Sequence, residues 1–365
     1  MNLLLLSIIL ISSTSTIVSL IFNNKISTTK LSNLKLKNSL IQNGEYELSL
    51  RSPCKINLFL RITSKRENGY HDLASLFQTI SLSDYMHFSK LPSGSTKDEL
   101  ICSDPSLQID DSNLVIKAMN LMRSKSSIKD AYFKIYLDKI VPMQAGLGGG
   151  SGNAATAMHA FNKLTGFKSS LNDLINWSGD IGSDITFFFS TGTAYCTGRG
   201  EIIESLPPIP QSKNVQVHIF KPQEGLSTKL VFQSLDIKTM CSNSNPLELR
   251  DLFMKFGPMK AASLGGLEND LEPPAFKCSP DLEKLKSSIS QLFVQEPCLD
   301  EGCGIGEMVM MSGSGTSIYA LSDSDSDSSD SKRVEIDKLI SRHIGLKYHK
   351  CSFVNKINDI YSWYE

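Results

Sequence analysis

One stretch constrains this chain more than any other: Pro142-Met143-Gln144-Ala145-Gly146-Leu147-Gly148-Gly149-Gly150-Ser151-Gly152-Asn153. Four of the seven positions 145–151 are glycine, two more are Ala and Ser, and an alanine-rich segment with helical spacing follows at once. Glycine permits positive φ and close approach of the backbone to a ligand. A helix that starts there aims unpaired N–H groups and its positive dipole end into the loop. Loop plus helix start therefore make an anion site, with phosphate as the natural anion. Two common phosphate motifs are excluded. Gly150 is followed by Ser151-Gly152 rather than the Lys-Ser/Thr of a Walker loop, and the third glycine of a dinucleotide fingerprint would fall on Ser151.

A loop without its own lysine needs cations from elsewhere, because phosphoryl transfer is mostly positioning and neutralisation of spread charge. Lys55 is the one charge inside the apolar run Cys54-Lys55-Ile56-Asn57-Leu58-Phe59-Leu60, and a buried ammonium is normally paired. Asp184 stands between Ser183 and Ile185-Thr186-Phe187-Phe188-Phe189; a carboxylate so placed can take a proton from a substrate hydroxyl or merely cap a turn. Tyr70-His71 follows the turn-like Glu67-Asn68-Gly69 and offers a stacking face and a hydrogen-bonding edge, although a lone His is more often structural.

The rest of the pattern is mixed. Alternation predicts strands at 46–50, 56–62, 75–81, 84–89, 131–137 and 215–220, and around a second glycine turn, Ser312-Gly313-Ser314-Gly315, at 308–311 and 317–321. Helical spacing predicts 113–123, capped by Asp111 or Ser112, then 154–164, 171–177, 229–234 and 246–256. Pro207, Pro208 and Pro210 suggest a domain junction. The fold class is α+β in two domains. The Ser/Asp run at 322–331 reads as a disordered surface loop. A net charge of -1 argues against nucleic acid and anionic membranes, and eight scattered cysteines without a C-x-x-C argue against zinc and a disulfide framework. An apolar run at 3–11, then a Ser/Thr/Asn/Lys-rich stretch with no acid before Glu45, predicts a signal-plus-transit leader over 1–44; a signal-anchor over 2–22 is the alternative.

Together and in this order, the blocks resemble the GHMP kinase superfamily. Within it they most resemble the 4-diphosphocytidyl-2-C-methyl-D-erythritol kinases of plant and algal plastids. The likeness runs through S-P-C-K-I-N-L-F-L-R-I (52–62), K-R-E-N-G-Y-H-D-L-A-S-L-F-Q-T-I-S-L (65–82), the glycine loop (141–156), W-S-G-D-I-G-S-D-I-T-F-F-F (177–189), A-Y-C-T-G-R-G-E (194–201), N-D-L-E-P-P-A-F (269–276) and M-S-G-S-G-T (311–316). It implies a two-domain GHMP fold: an ATP-binding domain like ribosomal protein S5 domain 2 over 45–206, and a ferredoxin-like domain over 207–365. The implied activity is ATP-dependent phosphorylation of the 2-hydroxyl of 4-diphosphocytidyl-2-C-methyl-D-erythritol, giving the 2-phosphate and ADP, in non-mevalonate isoprenoid synthesis. ATP and Mg2+ are the implied cofactors. The partner is a small-molecule substrate, with no nucleic acid and no stable membrane insertion of the mature protein, and the implied location is the plastid.

By the same resemblance, Asp184 is the general base and Lys55 stabilises the transferring phosphoryl group. Pro142 to Gly152 hold the ATP phosphates; the metal ligands are unassigned. Tyr70 stacks on the cytosine, His71 reads its edge, and Asn57 lies near the substrate. The segment from Lys221 to Thr228, with Phe232 as a second aromatic face, closes the cytidine pocket. The 312–316 turn supports the phosphate loop. Cys54 stands where the family usually has Ala or Ser, Gly152 where Ser is common, and Thr186 where Pro is usual. Segment 296–306 and the Ser/Asp run look like insertions. The rival readings are a GHMP kinase with another small alcohol and a non-catalytic sensor on the same fold; loss of Lys55 or Asp184 would favour the sensor, and both are present.

Overall fold

The computed structural model describes residues 46–236, 244–293, 307–323, 330–356 and 362–364. The expected leader, the insertion at 296–306 and the middle of the Ser/Asp run lie outside them. The ends of that run are not loop: Ser322 and Asp323 finish a strand, and residues 330–331 begin a helix.

Two long strands carry the fold, β1 (Leu48–Lys65) and β2 (His71–Lys90), paired antiparallel. The alternation had suggested two shorter strands in place of each. In β1 the break falls at Pro53, which cannot donate to a ladder. The register shifts between Pro53 and Cys54, so a bulge accommodates the proline and the strand continues. With β3 (Glu99–Cys102), β4 (Phe133–Asp138), β5 (Thr193–Thr197) and β6 (Ile202–Ser205), they form a six-stranded sheet of order β3-β4-β2-β5-β6, with β1 also on β2. Helices α1 (Leu114–Lys125), α2 (Gly149–Leu164) and α3 (Leu171–Ser178) accompany it. Phe88 and Ile135 of the sheet share a core with Met119 of α1 and Met158 and Phe161 of α2. The cap of α1 is Asn113, whose side chain accepts from the Val115 N–H at 2.9 Å, not the expected Asp111 or Ser112.

Beyond Pro207-Pro208 the chain enters a second, antiparallel sheet. Its strands are β7 (Val215–Lys221), β8 (Val309–Met311), β9 (Ile318–Asp323) and β10 (Lys347–Ser352), in the order β10-β7-β9-β8. Among the described residues of this part are the helices α4 (Thr228–Gln233), α5 (Pro246–Ser263), α6 (Glu272–Cys278), α7 (Pro280–Leu292) and α8 (Asp330–Arg342). Its core joins Phe220, Phe253, Leu285, Ile289 and Tyr319 to Ile56 and Phe59 of β1. Hydrophobic burial thus continues from one sheet onto the face of the other, and Leu48–Glu365 form one compact unit. Polar bonds cross the same seam. Tyr319 Oη donates to the Asn57 carbonyl at 2.9 Å, and Arg61 pairs with Asp270 at 3.0 Å. After β10 the chain returns to the first sheet, where Trp363 stacks on His159 and donates to the Arg51 carbonyl at 2.8 Å.

Candidate active site

The glycine loop runs from β4 into α2, and one buried carboxylate fastens both ends. Asp84 of β2, with no exposed surface, accepts from the backbone N–H groups of Ile140 (2.6 Å) and Val141 (2.7 Å) and from the Asn153 side chain (2.9 Å), and it pairs with Lys139 at 2.7 Å. Lys139 also donates to the Val141 carbonyl. The far side of the loop rests on the second glycine turn: Ser312 Oγ donates to the Gly146 carbonyl at 2.9 Å, and the Ser317 N–H donates to that of Ala145 at 3.1 Å. Asn269 holds this turn by donating to the carbonyls of Met311 and Gly313, both at 2.8 Å.

Gly148 caps α2 in the left-handed conformation (φ 65°), a geometry that disfavours a side chain, and a Cβ there would press on Lys55. Gly152 is required for a different reason. A Cβ at that position would fall well inside contact distance of the Pro53 carbonyl oxygen, which belongs to the β1 backbone. Gly152 thus faces the sheet, while the loop residues Pro142 to Ser151 all line a cavity of about 1120 Å³. Gly152→Ala is expected to lower stability by about 1–3 kcal/mol in denaturant titration, because backbone must move to admit the methyl. A midpoint equal to wild type would refute the packing role.

Lys55 reaches the loop from β1. Its N–H donates to the Leu147 carbonyl at 2.9 Å, its Nζ donates to Asn57 Oδ1 at 2.7 Å, and its ammonium lies 4.3 Å from the centre of the Phe77 ring. Asn57 is fixed in turn by donating to Ser75 Oγ at 2.8 Å. Asp184 sits in the first turn of a 3-10 segment, Ser183–Phe189, whose apolar residues anchor it in the core. Its carboxylate is 3.5 Å from Lys55 Nζ and remains one-third exposed, so it is reachable by a substrate. The segment's Thr186, where the family usually has Pro, is buried and bonded to Ser178 Oγ at 3.0 Å, so its hydroxyl is satisfied. Cys54 is buried and donates to the Leu82 carbonyl; burial pushes its thiol far up, away from any reactive thiolate.

Lys55, Asn57, Phe77 and Asp184 line a second cavity of about 730 Å³. Gln144, Gly146, Gly148, Gly225 and Thr228 line both cavities, so the two spaces meet at the glycine loop, beside the ion pair. Thr228 starts α4 and shares a hydrogen bond with Ser314 at 2.8 Å, which brings the second sheet's loop over this junction. Phe232 of α4 lines the smaller cavity and stacks on His71, with ring centres 5.5 Å apart. Burial and then Lys65 hold the His71 pKa below its ordinary value, so at neutral pH the ring is a neutral imidazole with one donor and one acceptor. His71 itself is in neither cavity's lining, and nor is Tyr70. Tyr70 is 58% exposed, with its ring 5.7 Å from the Arg199 guanidinium, and Arg199 does line the smaller cavity. The segment from Lys221 to Thr228 is divided: Lys221 and Pro222 face the larger cavity, and Leu226 and Ser227 the smaller.

Sequence reasoning passed over Asp84, Lys139 and Asn153. The available signal was an acid within the long apolar strand and a lysine just ahead of the loop.

The family model for the GHMP kinases N terminal domain matches residues 113–192. A chloroplastic 4-diphosphocytidyl-2-C-methyl-D-erythritol kinase of Arabidopsis thaliana is 48% identical over 75% of this chain and 67% of its own length. The chloroplastic relative from Mentha piperita is 46% identical over 76% of this chain, which spans just under two thirds (64%) of it. A relative of the same name from Protochlamydia amoebophila is 44% identical over 77% of this chain and 86% of its own length. Among solved structures, a 4-(cytidine 5'-diphospho)-2C-methyl-D-erythritol kinase superposes with a TM-score of 0.61 at 25% identity, covering 84% of this chain and 99% of that one. Homoserine kinase from Cytophaga hutchinsonii shares the fold at 18% identity and a TM-score of 0.60.

The mixed α+β fold has the architecture of the GHMP kinases, and here a lysine–aspartate pair lies beside the glycine loop that opens α2. Within that class, the chain belongs to the 4-diphosphocytidyl-2-C-methyl-D-erythritol kinase family.

Proposed function

We propose that this chain transfers the γ-phosphoryl group of ATP to the 2-hydroxyl of 4-diphosphocytidyl-2-C-methyl-D-erythritol, releasing the 2-phosphate and ADP. The observation that carries the reading is the Lys55–Asp184 pair at the point where two cavities meet. The larger cavity, lined by the glycine loop, takes the ATP, with backbone N–H groups at the start of α2 on the phosphates. The smaller cavity takes the acceptor. His71 offers its donor and acceptor to the cytosine edge, Phe232 supplies an aromatic face, Tyr70 closes from outside, and Asn57 and Thr228 border the sugar alcohol.

Asp184 accepts the proton of the 2-hydroxyl as its oxygen bonds to the γ-phosphorus and the bond to the β-phosphate oxygen breaks. Lys55 offsets charge on the phosphoryl oxygens. No group of three acidic, His or Cys side chains able to hold a metal occurs among the described residues. That fits Mg2+ arriving on ATP, since this ion is usually bound through phosphates, water and one or two protein oxygens, and Ser151 carries the loop's hydroxyl. We also assign the ATP-binding half to 45–206, the half that closes over the acceptor to 207–365, and residues 1–44 to plastid targeting. The chloroplastic plant relatives support the location.

The direct test incubates the chain with ATP, Mg2+ and the cytidylated alcohol and follows ADP. Turnover should require the cytidyl group and be inhibited competitively by CDP. Equal turnover of an alcohol lacking the nucleoside would overturn the substrate assignment.

A further inference from the structure

Lys221 ends β7 and is only 4% exposed, yet it forms no ion pair with a carboxylate among the described residues. Its Nζ donates to the carbonyls of Pro222 (2.7 Å) and Glu224 (2.9 Å). An ammonium carries three donors, so one is left over. Directly opposite on β10 stands Lys347, a second cation, and both line the larger cavity with the glycine loop. The other charged groups on that wall are already engaged: Lys139 is paired with Asp84, and Asp104 is held by Ser106. Burial first, and then Lys347, pull the Lys221 pKa from 10.5 to about 8. A buried charge of this kind is normally paired, or it gives up its proton.

The backbone that Lys221 holds leads to the junction of the two cavities. The Glu224 carbonyl also accepts from Thr316 Oγ1 at 2.9 Å. The next residue, Gly225, backs onto the Gln144 side chain of the glycine loop, and Thr228 follows. Lys221 therefore joins the strand, the loop over the junction and the cavity wall.

We infer that Lys221 is a ligand-binding cation whose missing counter-ion is a phosphate group of the nucleotide in the larger cavity. This rests on the kinase reading above. Among the described residues no carboxylate pairs with Lys221, and binding supplies the anion. Nucleotide binding should then restore the proton to Lys221 at alkaline pH. The sign follows: the protonated form binds, so affinity is full below about pH 8 and is lost above it. At pH 9 the affinity should be down about tenfold, one pH unit beyond the pKa of the free lysine.

The test is calorimetric titration of the full chain with ATP from pH 7 to 9.5, in two buffers of different ionisation enthalpy, with melting curves as a folding check. Wild type should take up protons near pH 8.5 and show the alkaline loss. Lys221→Met should bind ATP at least tenfold more weakly at pH 7 with a flattened pH profile. Lys221→Arg should restore binding and remove the alkaline loss. Wild type that binds ATP with no proton uptake overturns the inference even if Lys221→Met fails to fold. So does a Lys221→Met profile that matches wild type. Proton uptake seen with CDP and not with ATP overturns the assignment to the larger cavity. A wild type that binds no ATP at pH 7 sinks the kinase reading itself, and this inference with it.

Discussion

Asp184→Asn is expected to lower kcat by roughly 10²–10⁴, the usual contribution of a positioned general base, while the chain folds and binds ATP as before. The amide has nearly the shape of the carboxylate, so the 3-10 segment and its apolar anchor at 185–189 are undisturbed. Lys55 keeps Asn57 Oδ1 and the face of Phe77 as partners. What disappears is a group one-third open to the smaller cavity and able to take a proton next to a cation. The loss should therefore fall on kcat, with KM for ATP little changed, since the contacts proposed for the nucleotide lie on the loop side of the junction. Single-turnover rates separate chemistry from product release. An Asp184→Asn protein with wild-type kcat would remove Asp184 from the chemistry.

The parts of this site that could be read in the sequence are those where a local pattern conflicts with its surroundings. Glycines crowd ahead of a helix, Lys55 interrupts an apolar strand, and Asp184 precedes a run of phenylalanines. Each violates a local expectation, and function is a common reason for such a violation. The fold was legible for the same kind of reason, since alternation and helical spacing report which face is buried. Pro53 lies between the two strands that alternation suggests, and β1 runs through it because a bulge can carry a proline that a regular ladder cannot. Long-range partnerships left no local trace. Asp84 and Val141 are far apart in the chain, and nothing near Asp84 announces that its carboxylate will hold the glycine loop. The role of Gly152 was hidden likewise. Read alone, it is a lost hydroxyl; against the Pro53 carbonyl, it is the clearance that lets α2 approach β1.

Asp84→Ala should be the most damaging single substitution outside the reacting groups, costing about 3–5 kcal/mol of stability, the range for breaking a buried ion pair from one side. The change strands Lys139, whose side chain is 5% exposed, and leaves the N–H groups of Ile140 and Val141 without their acceptor. Buried donors left unpaired carry their full desolvation cost. Because all of these partners lie at the ends of the glycine loop, damage should reach ATP binding before the rest of the fold. At temperatures where Asp84→Ala is still folded, KM for ATP should rise more than kcat falls. A cycle with Lys139→Met separates charge from geometry. If the stranded ammonium dominates, the double variant regains part of the loss; if the backbone donors dominate, it does not. In both cases Asp84→Ala alone should unfold at clearly lower denaturant than wild type. A midpoint and an ATP KM equal to wild type would mean that the loop keeps its shape without the carboxylate, held by the glycines and the Ser312 turn alone.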